Sequence, residues 1–229
     1  MFQTNKSPKN GFAFVGIIVL VFLILTLIAI LFSSMFAEKK FFGQNQLLKE
    51  GVIKTAYAAN DDTGYFNSGY MFDNNAATAE ELNKYFKDNN IAFDKDKLGE
   101  DLGLAIKNAA DKYHINPVYI AAHAMLETGR NSLSPIAKEK KNIFGFMAYD
   151  RDAYGNAKTF SSYGECVNYV MSYIKNEYLT PGGDWYEGET LEAMNKHYAT
   201  DQGWAQKIKN IMLEIYRDIG KTPPNLAAK

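Results

Sequence analysis

The stretch Asn116-Pro117-Val118-Tyr119-Ile120-Ala121-Ala122-His123-Ala124-Met125-Leu126-Glu127-Thr128-Gly129 decides the fold. Asn116 is a capping residue, and Pro117 suits the first helical position, where its missing N–H costs nothing. Val118, Ala121, Ala122 and Met125 recur at helical spacing and form an apolar face. Gly129 is a stop signal. The spacing predicts a buried helix over 117–127 that carries one carboxylate, Glu127, to its end. A carboxyl at the mouth of an apolar helix is poorly solvated, which raises its pKa. A carboxylic acid that keeps its proton near neutral pH can protonate the leaving oxygen of a glycosidic bond. A glutamate near a helix C-terminus is also a common solvated surface group, so the helix alone assigns no reaction.

His123 lies one turn before Glu127, on the same face. The two do not complete the His-Glu-x-x-His zinc motif, and the chain has only three histidines. The expected role of His123 is structural, and no metal or other cofactor is expected.

Two further segments change the weight of Glu127: Asn142-Ile143-Phe144-Gly145-Phe146, and Tyr198-Ala199-Thr200-Asp201 followed by Trp204. A helix ending in Glu-Thr-Gly, then Asn-Ile-Phe-Gly, then Tyr-Ala-x-Asp-x-x-Trp, resembles the bacterial endo-β-N-acetylglucosaminidases that cut peptidoglycan, a lysozyme-like family. The resemblance runs over roughly residues 77–219. It departs from the commonest pattern after the glutamate, where many members read Gly-Trp-Gly and this chain reads Gly129-Arg130-Asn131.

The resemblance implies Glu127 as the general acid and an acidic residue in the lobe between Phe144 and Phe160. Asp150 follows the strand-like segment 146–149 and is the better held candidate; Asp152 sits in the turn. Both are also ordinary turn residues. The substrate's own 2-acetamido group is a third route, with the carboxylate only orienting it. The resemblance makes Tyr198 an active-site hydroxyl. Phe144, Gly145 and Phe146 are expected to build the groove floor, with Gly145 allowing close backbone approach to a sugar. Tyr149 and Tyr154 are candidate stacking platforms, as is Trp185. Asp201 is expected to cap the last helix, and Trp204 to lie in the core.

Composition is consistent with this and excludes other classes. The 229 residues carry a formal net charge of −1, which argues against nucleic acid as a partner. Fifteen Tyr, fifteen Phe and two Trp serve a core and also suit a groove that stacks on sugar faces. The single cysteine, Cys166, excludes an internal disulfide and is expected in the core.

Residues 11–37 carry no charge. The 21 residues from Phe12 to Phe32 are almost all Val, Ile, Leu and Phe, and as a helix they would span ~31 Å, one hydrocarbon core. That is longer than a signal-peptide core, and no good cleavage site follows it. The expectation is an uncleaved single-pass anchor over 12–37 behind a tail of residues 1–11. Lysines flank it nearly evenly, so the outside placement of the C-terminal part follows from the implied function. No protein partner is legible.

Residues 38–76 read as a stalk, rich in turn formers and aromatics. The catalytic domain is expected over 77–220, with a loose tail at 221–229. It is expected to be mainly α, a lysozyme-like α+β domain with a small β-hairpin lobe. Thr78 with Glu81 makes a capping box for a helix to Asp88. Further helices are expected over 97–113, 163–178, 191–198 and 202–219. The rival readings keep Glu127 and change the bond, as in a muramidase or lytic transglycosylase, or keep the groove without catalysis, as in a glycan-binding scaffold.

Overall fold

The computed structural model describes Phe66, residues 69–148 and residues 152–224. The expected membrane anchor, most of the stalk, Tyr149, Asp150 and the end of the tail lie outside the described residues. No described helix is long and apolar enough to cross a membrane.

The described chain is a set of helices: α1 (Ala79–Asp88), α2 (Lys95–Leu98), α3 (Leu102–Tyr113), α4 (Pro117–Thr128), α5 (Pro135–Lys140), α6 (Ala153–Asn156), α7 (Tyr163–Glu177), α8 (Leu191–Tyr198) and α9 (Trp204–Asp218), preceded by a 3₁₀ turn at Tyr70–Phe72. No strand occurs among the described residues.

The Glu127 helix is the centre of this set. From Pro117 to Met125 every residue of α4 is buried. A helix apolar on all sides must be wrapped by others, and α3 and α9 pack against it. Asn116 starts it as expected. Its Oδ1 accepts from Val118 N at 2.8 Å, and its Nδ2 donates to the Tyr70 carbonyl and to Tyr216 Oη, both at 2.9 Å. One buried amide thus caps α4 and ties it to the 3₁₀ turn and to α9. Gly129 ends the helix with φ +90°, a conformation glycine adopts without penalty.

The capping box of α1 forms as expected: Glu81 N donates to Thr78 Oγ1 at 3.2 Å, and Thr78 N to Glu81 Oε2 at 2.8 Å. Thr190 caps α8 as expected. Two boundaries differ. The helix expected over 97–113 is broken: Gly99 takes φ +75° at the end of α2, and Asp101 starts α3 afresh by accepting from Leu104 N at 2.9 Å. Asp201 does not cap the last helix, which begins at Trp204 after Gly203. Its carboxylate accepts from Gly203 N at 2.9 Å and from Lys207 Nζ at 2.6 Å, so it closes the turn before α9.

The largest correction is the expected β-hairpin lobe. Its described residues contain turns and the short α6, with no ladder. Asn142 does the pairing instead. Its Oδ1 accepts from Phe146 N at 2.9 Å, while its Nδ2 donates to the carbonyls of Phe146 at 2.9 Å and Lys158 at 3.0 Å. One buried side chain thus bonds three main-chain groups, alongside the main-chain bonds from Lys158 N to the Phe146 carbonyl at 3.1 Å and from Phe160 N to the Lys140 carbonyl at 2.9 Å. Gly145 at φ +60° and Met147 at φ +65° turn the chain between them.

Candidate active site

Glu127 ends α4 where the helix leaves the core, and its side chain keeps 28% of its accessibility. Trp204, the first residue of α9, donates its indole N–H to Glu127 Oε1 at 3.1 Å. His123, one turn back on α4, places Nε2 3.5 Å from the same oxygen. Among the described residues no hydrogen bond reaches Oε2.

An aromatic cluster packs around His123 beside this carboxylate. Tyr198, at the end of α8, stacks on Trp204 with centroids 4.7 Å apart and planes 30° apart. His123 meets Phe144, Tyr198 and Trp204 edge-on at 5.2, 4.9 and 5.3 Å. Tyr178 closes on Tyr198 at 5.5 Å. The site therefore draws on α4, the 142–148 loop, the end of α7, α8 and the start of α9.

Burial pushes the Glu127 carboxyl up, but the proximity and charge of His123 and the Trp204 N–H pull it down further, and the net lies below the ordinary glutamate value. This corrects the sequence expectation, which counts only poor solvation. The His123 pull operates only while a proton sits between the imidazole and the carboxylate. Tyr198 is shifted the other way. Burial and then the Glu127 charge hold its phenol well above the usual tyrosine value, so it is a neutral O–H at any working pH.

The other expected site residues divide. Phe144 is buried, and Gly145 and Phe146 are half-buried, in the loop beside His123. Asp152 is exposed and caps α6 by accepting from Gly155 N at 2.8 Å, so its carboxylate already has a structural task. Tyr154 is exposed and donates to Glu139 Oε2, with Lys140 Nζ 4.8 Å above its ring. Tyr149 and Asp150 lie outside the described residues. Among the described residues no cluster of His, Cys, Asp and Glu is arranged to hold a metal.

Trp204 is the site residue that the sequence reading assigns to the core alone. It is nearly buried, at 4% exposure, as that reading expects. A buried indole N–H needs an acceptor, and that requirement is the signal that could have found it. Arg130, the point of departure from the common pattern, turns away from this cluster. Its guanidinium pairs with both Glu214 oxygens, Nη1 reaching Oε2 at 2.6 Å, and Nη2 donates to Tyr85 Oη at 3.1 Å. Its carbonyl accepts from Ala92 N at 2.7 Å.

Residues 103–217, half of the chain, match the model of the mannosyl-glycoprotein endo-β-N-acetylglucosaminidase family, and the chain belongs to that family. It is 38% identical over 143 residues to a Streptococcus pneumoniae protein assigned as an endo-β-N-acetylglucosaminidase, an alignment covering 62% of this chain and 21% of that protein. It is 25% identical over 196 residues to a bifunctional autolysin of Staphylococcus epidermidis, covering 75% of this chain and 14% of the relative. The chain thus spans about a fifth or less of the length of these relatives. Among solved structures it is similar to S. aureus autolysin E in complex with the muropeptide NAM-L-Ala-D-iGlu, with a TM-score of 0.50 and 25% identity over 70% of this chain and 74% of that one.

Proposed function

We propose that this chain is a peptidoglycan hydrolase that cleaves the β-1,4 bond on the reducing side of N-acetylglucosamine, with Glu127 as the general acid. The observation that carries this is the placement of Glu127. It is a surface-reaching carboxylate at the end of a buried helix, bonded through one oxygen to Trp204, which stacks on Tyr198. Membership of the glucosaminidase family supports the bond class. The muropeptide bound by autolysin E supports a glycan-strand substrate.

Trp204 and His123 occupy Oε1, which leaves Oε2 to approach the glycosidic oxygen. In the free protein the carboxyl favours its charged form. A saccharide that covers it and expels water adds to the burial already present and favours the protonated form. The acid then gives its proton to the leaving oxygen as the C–O bond breaks. The neutral Tyr198 hydroxyl would stabilise the oxocarbenium-like charge or orient the 2-acetamido group. Asp150 is the proposed second carboxylate, since Asp152 is engaged as a cap. Phe144, Gly145 and Phe146 would form the floor of the groove, and Tyr149 and Tyr154 its stacking platforms.

The decisive experiment is Glu127→Gln. The amide keeps the shape and removes the transferable proton. Turnover of purified wall should fall by about 10²–10⁴-fold with an unchanged melt. Hydrolysis near that of the unaltered protein would overturn the assignment. Reducing-end analysis of released fragments should show N-acetylglucosamine; an anhydro-muramyl end would mean a lytic transglycosylase.

The uncharged run at residues 12–32 supports a single-pass anchor with the catalytic domain on the wall side. The full chain should stay with membranes through high-salt and carbonate washes. A mature N-terminus downstream of Ala37 would overturn that placement.

A further inference from the structure

His123 is completely buried, yet among the described residues its Nε2 has no hydrogen-bond partner, which is an uncommon state for a buried polar atom. That atom is aimed at Glu127 Oε1, 3.5 Å away. The other ring nitrogen, Nδ1, lies 3.1 Å from Tyr119 Oη, one turn earlier on the same helix. The ring packs against Phe144, Tyr198 and Trp204 edge-on, with Tyr119 at 5.5 Å. A side chain needed only for packing would not require an imidazole in that slot. When the Tyr119 hydroxyl donates to Nδ1, the ring proton must sit on Nε2, facing the carboxylate.

We propose that His123 is a positioning residue for the acid: through Nε2 it holds a proton toward Glu127 and stabilises the carboxylate left when Glu127 has given its own proton to the leaving oxygen. This rests on the reading of Glu127 as general acid. His123 itself touches no substrate. No bond to it forms or breaks. Its proton stays on the ring while the Glu127 proton goes to the glycosidic oxygen, and Glu127 is later re-protonated from the attacking water.

The other titratable groups packed around Glu127 stay neutral. On α4, Tyr119 is buried and held far above the ordinary tyrosine value by burial, then by Tyr70 and Glu127. From α8, Tyr198 is held up in the same way. From the end of α7, burial pushes Tyr178 up to about 12. Cys166, beside Tyr198, is likewise pushed by burial to about 12. From α9 the non-titrating indole of Trp204 faces the carboxylate. No lysine, arginine or second carboxylate of the described residues contributes to the Glu127 environment.

Trp204 makes the test independent of catalysis, because its indole is bonded to the group whose ionisation is in question. The chain has two tryptophans, so Trp185→Phe leaves Trp204 as the sole reporter. In that background the pH dependence of indole fluorescence should show a transition that Glu127→Gln abolishes. His123→Phe keeps a ring in the slot and removes both nitrogens. It should move the transition to higher pH by about one unit and lower kcat roughly ten- to hundredfold with little change in KM, the value of a hydrogen bond to a charged group. His123→Gln, whose amide can still donate toward Oε1, should restore part of both effects. A transition that stays in place or moves to lower pH in both variants, with folding intact, would overturn the proposal. If Glu127→Gln proves fully active while the fluorescence transition shifts as expected, the proton relation stands and the reading of Glu127 as the acid falls.

Discussion

Trp204 and Glu127 stand 77 residues apart in sequence and meet through a single 3.1 Å hydrogen bond at the junction of two helices. One is the last-turn carboxylate of α4, the other the first residue of α9. The bond favours the charged carboxyl, and burial favours the neutral one. Opposing contributions from its neighbours thus set the ionisation of the proposed acid, and the net favours the charged form.

That balance predicts the pH profile. General acid catalysis requires the protonated carboxyl, whose value in the free protein lies below that of an ordinary glutamate. kcat/KM should therefore rise as pH falls toward the acid side and decline as pH climbs through the Glu127 value. Saturating glycan adds burial and raises that value, so the alkaline limb of kcat should lie at higher pH than that of kcat/KM. Initial rates at low and saturating glycan across a pH series check this. Coincident limbs would show that substrate does not help protonate the acid.

Asp150→Asn should lower turnover more than Asp152→Asn. Asp152 already serves Gly155 N as the cap of α6, and asparagine caps nearly as well. The Asp152 substitution should therefore leave both melt and turnover close to their original values. Asp150→Asn should reduce kcat with the melt unchanged, and only moderately if the acetamido group is the nucleophile. Turnover of both variants on one glycan decides the order. If both are near normal, the second carboxylate lies elsewhere, and Glu165, whose Oε2 accepts from Ser161 N and Oγ at 2.6 Å, is the next to test.

Arg130→Gln should act on stability before activity. The guanidinium joins the segment after α4 to Glu214 on α9 and to Tyr85 on α1. Both partners are partly exposed, so the expected loss is about 1–2 kcal/mol, a few degrees in Tm. Burial pushes Glu214 up, but Arg130 pulls it further down, leaving it below the ordinary value. A depressed folded-state value adds stability above the unfolded-state value and loses it as pH falls through the folded one. The Tm difference between variant and parent should therefore be largest near neutral pH and shrink in acid. A constant difference would show that the charge pair is not its source.

Much of this scaffold is legible in local chemistry. Asn116-Pro117, Thr78 with Glu81, and Thr190 announce helix starts because a cap needs only its own neighbours. Gly99 breaks a stripe that apolar spacing alone continues, and the Asp101 cap two residues later is the sign of it. The 142–160 lobe misleads for a different reason. An aromatic run between turn formers has the pattern of a strand, but only isolated main-chain bonds form there and the Asn142 side chain supplies the others, which no period reveals. The carboxylate proposed as the acid is legible at the end of its helix. The partners on its oxygen are less so, since Trp204 comes from the far end of the domain and His123 has the spacing of an ordinary core residue.

The Tyr70 anchor bears on how this module can be cut and transplanted. The family match opens at Gly103, inside α3. Yet the Tyr70 carbonyl takes the Asn116 amide at 2.9 Å, its hydroxyl takes Leu191 N at 2.9 Å, and the neighbouring Met71 carbonyl takes Asn116 N at 2.8 Å. The start of the acid helix and the start of the tyrosine helix are both moored to a turn more than thirty residues upstream of the shared segment. A graft trimmed to the recognisable family core would carry Glu127, Tyr198 and Trp204 and leave their common moorings behind. The unit that can be inherited intact, or fused to other domains, begins no later than Gly69.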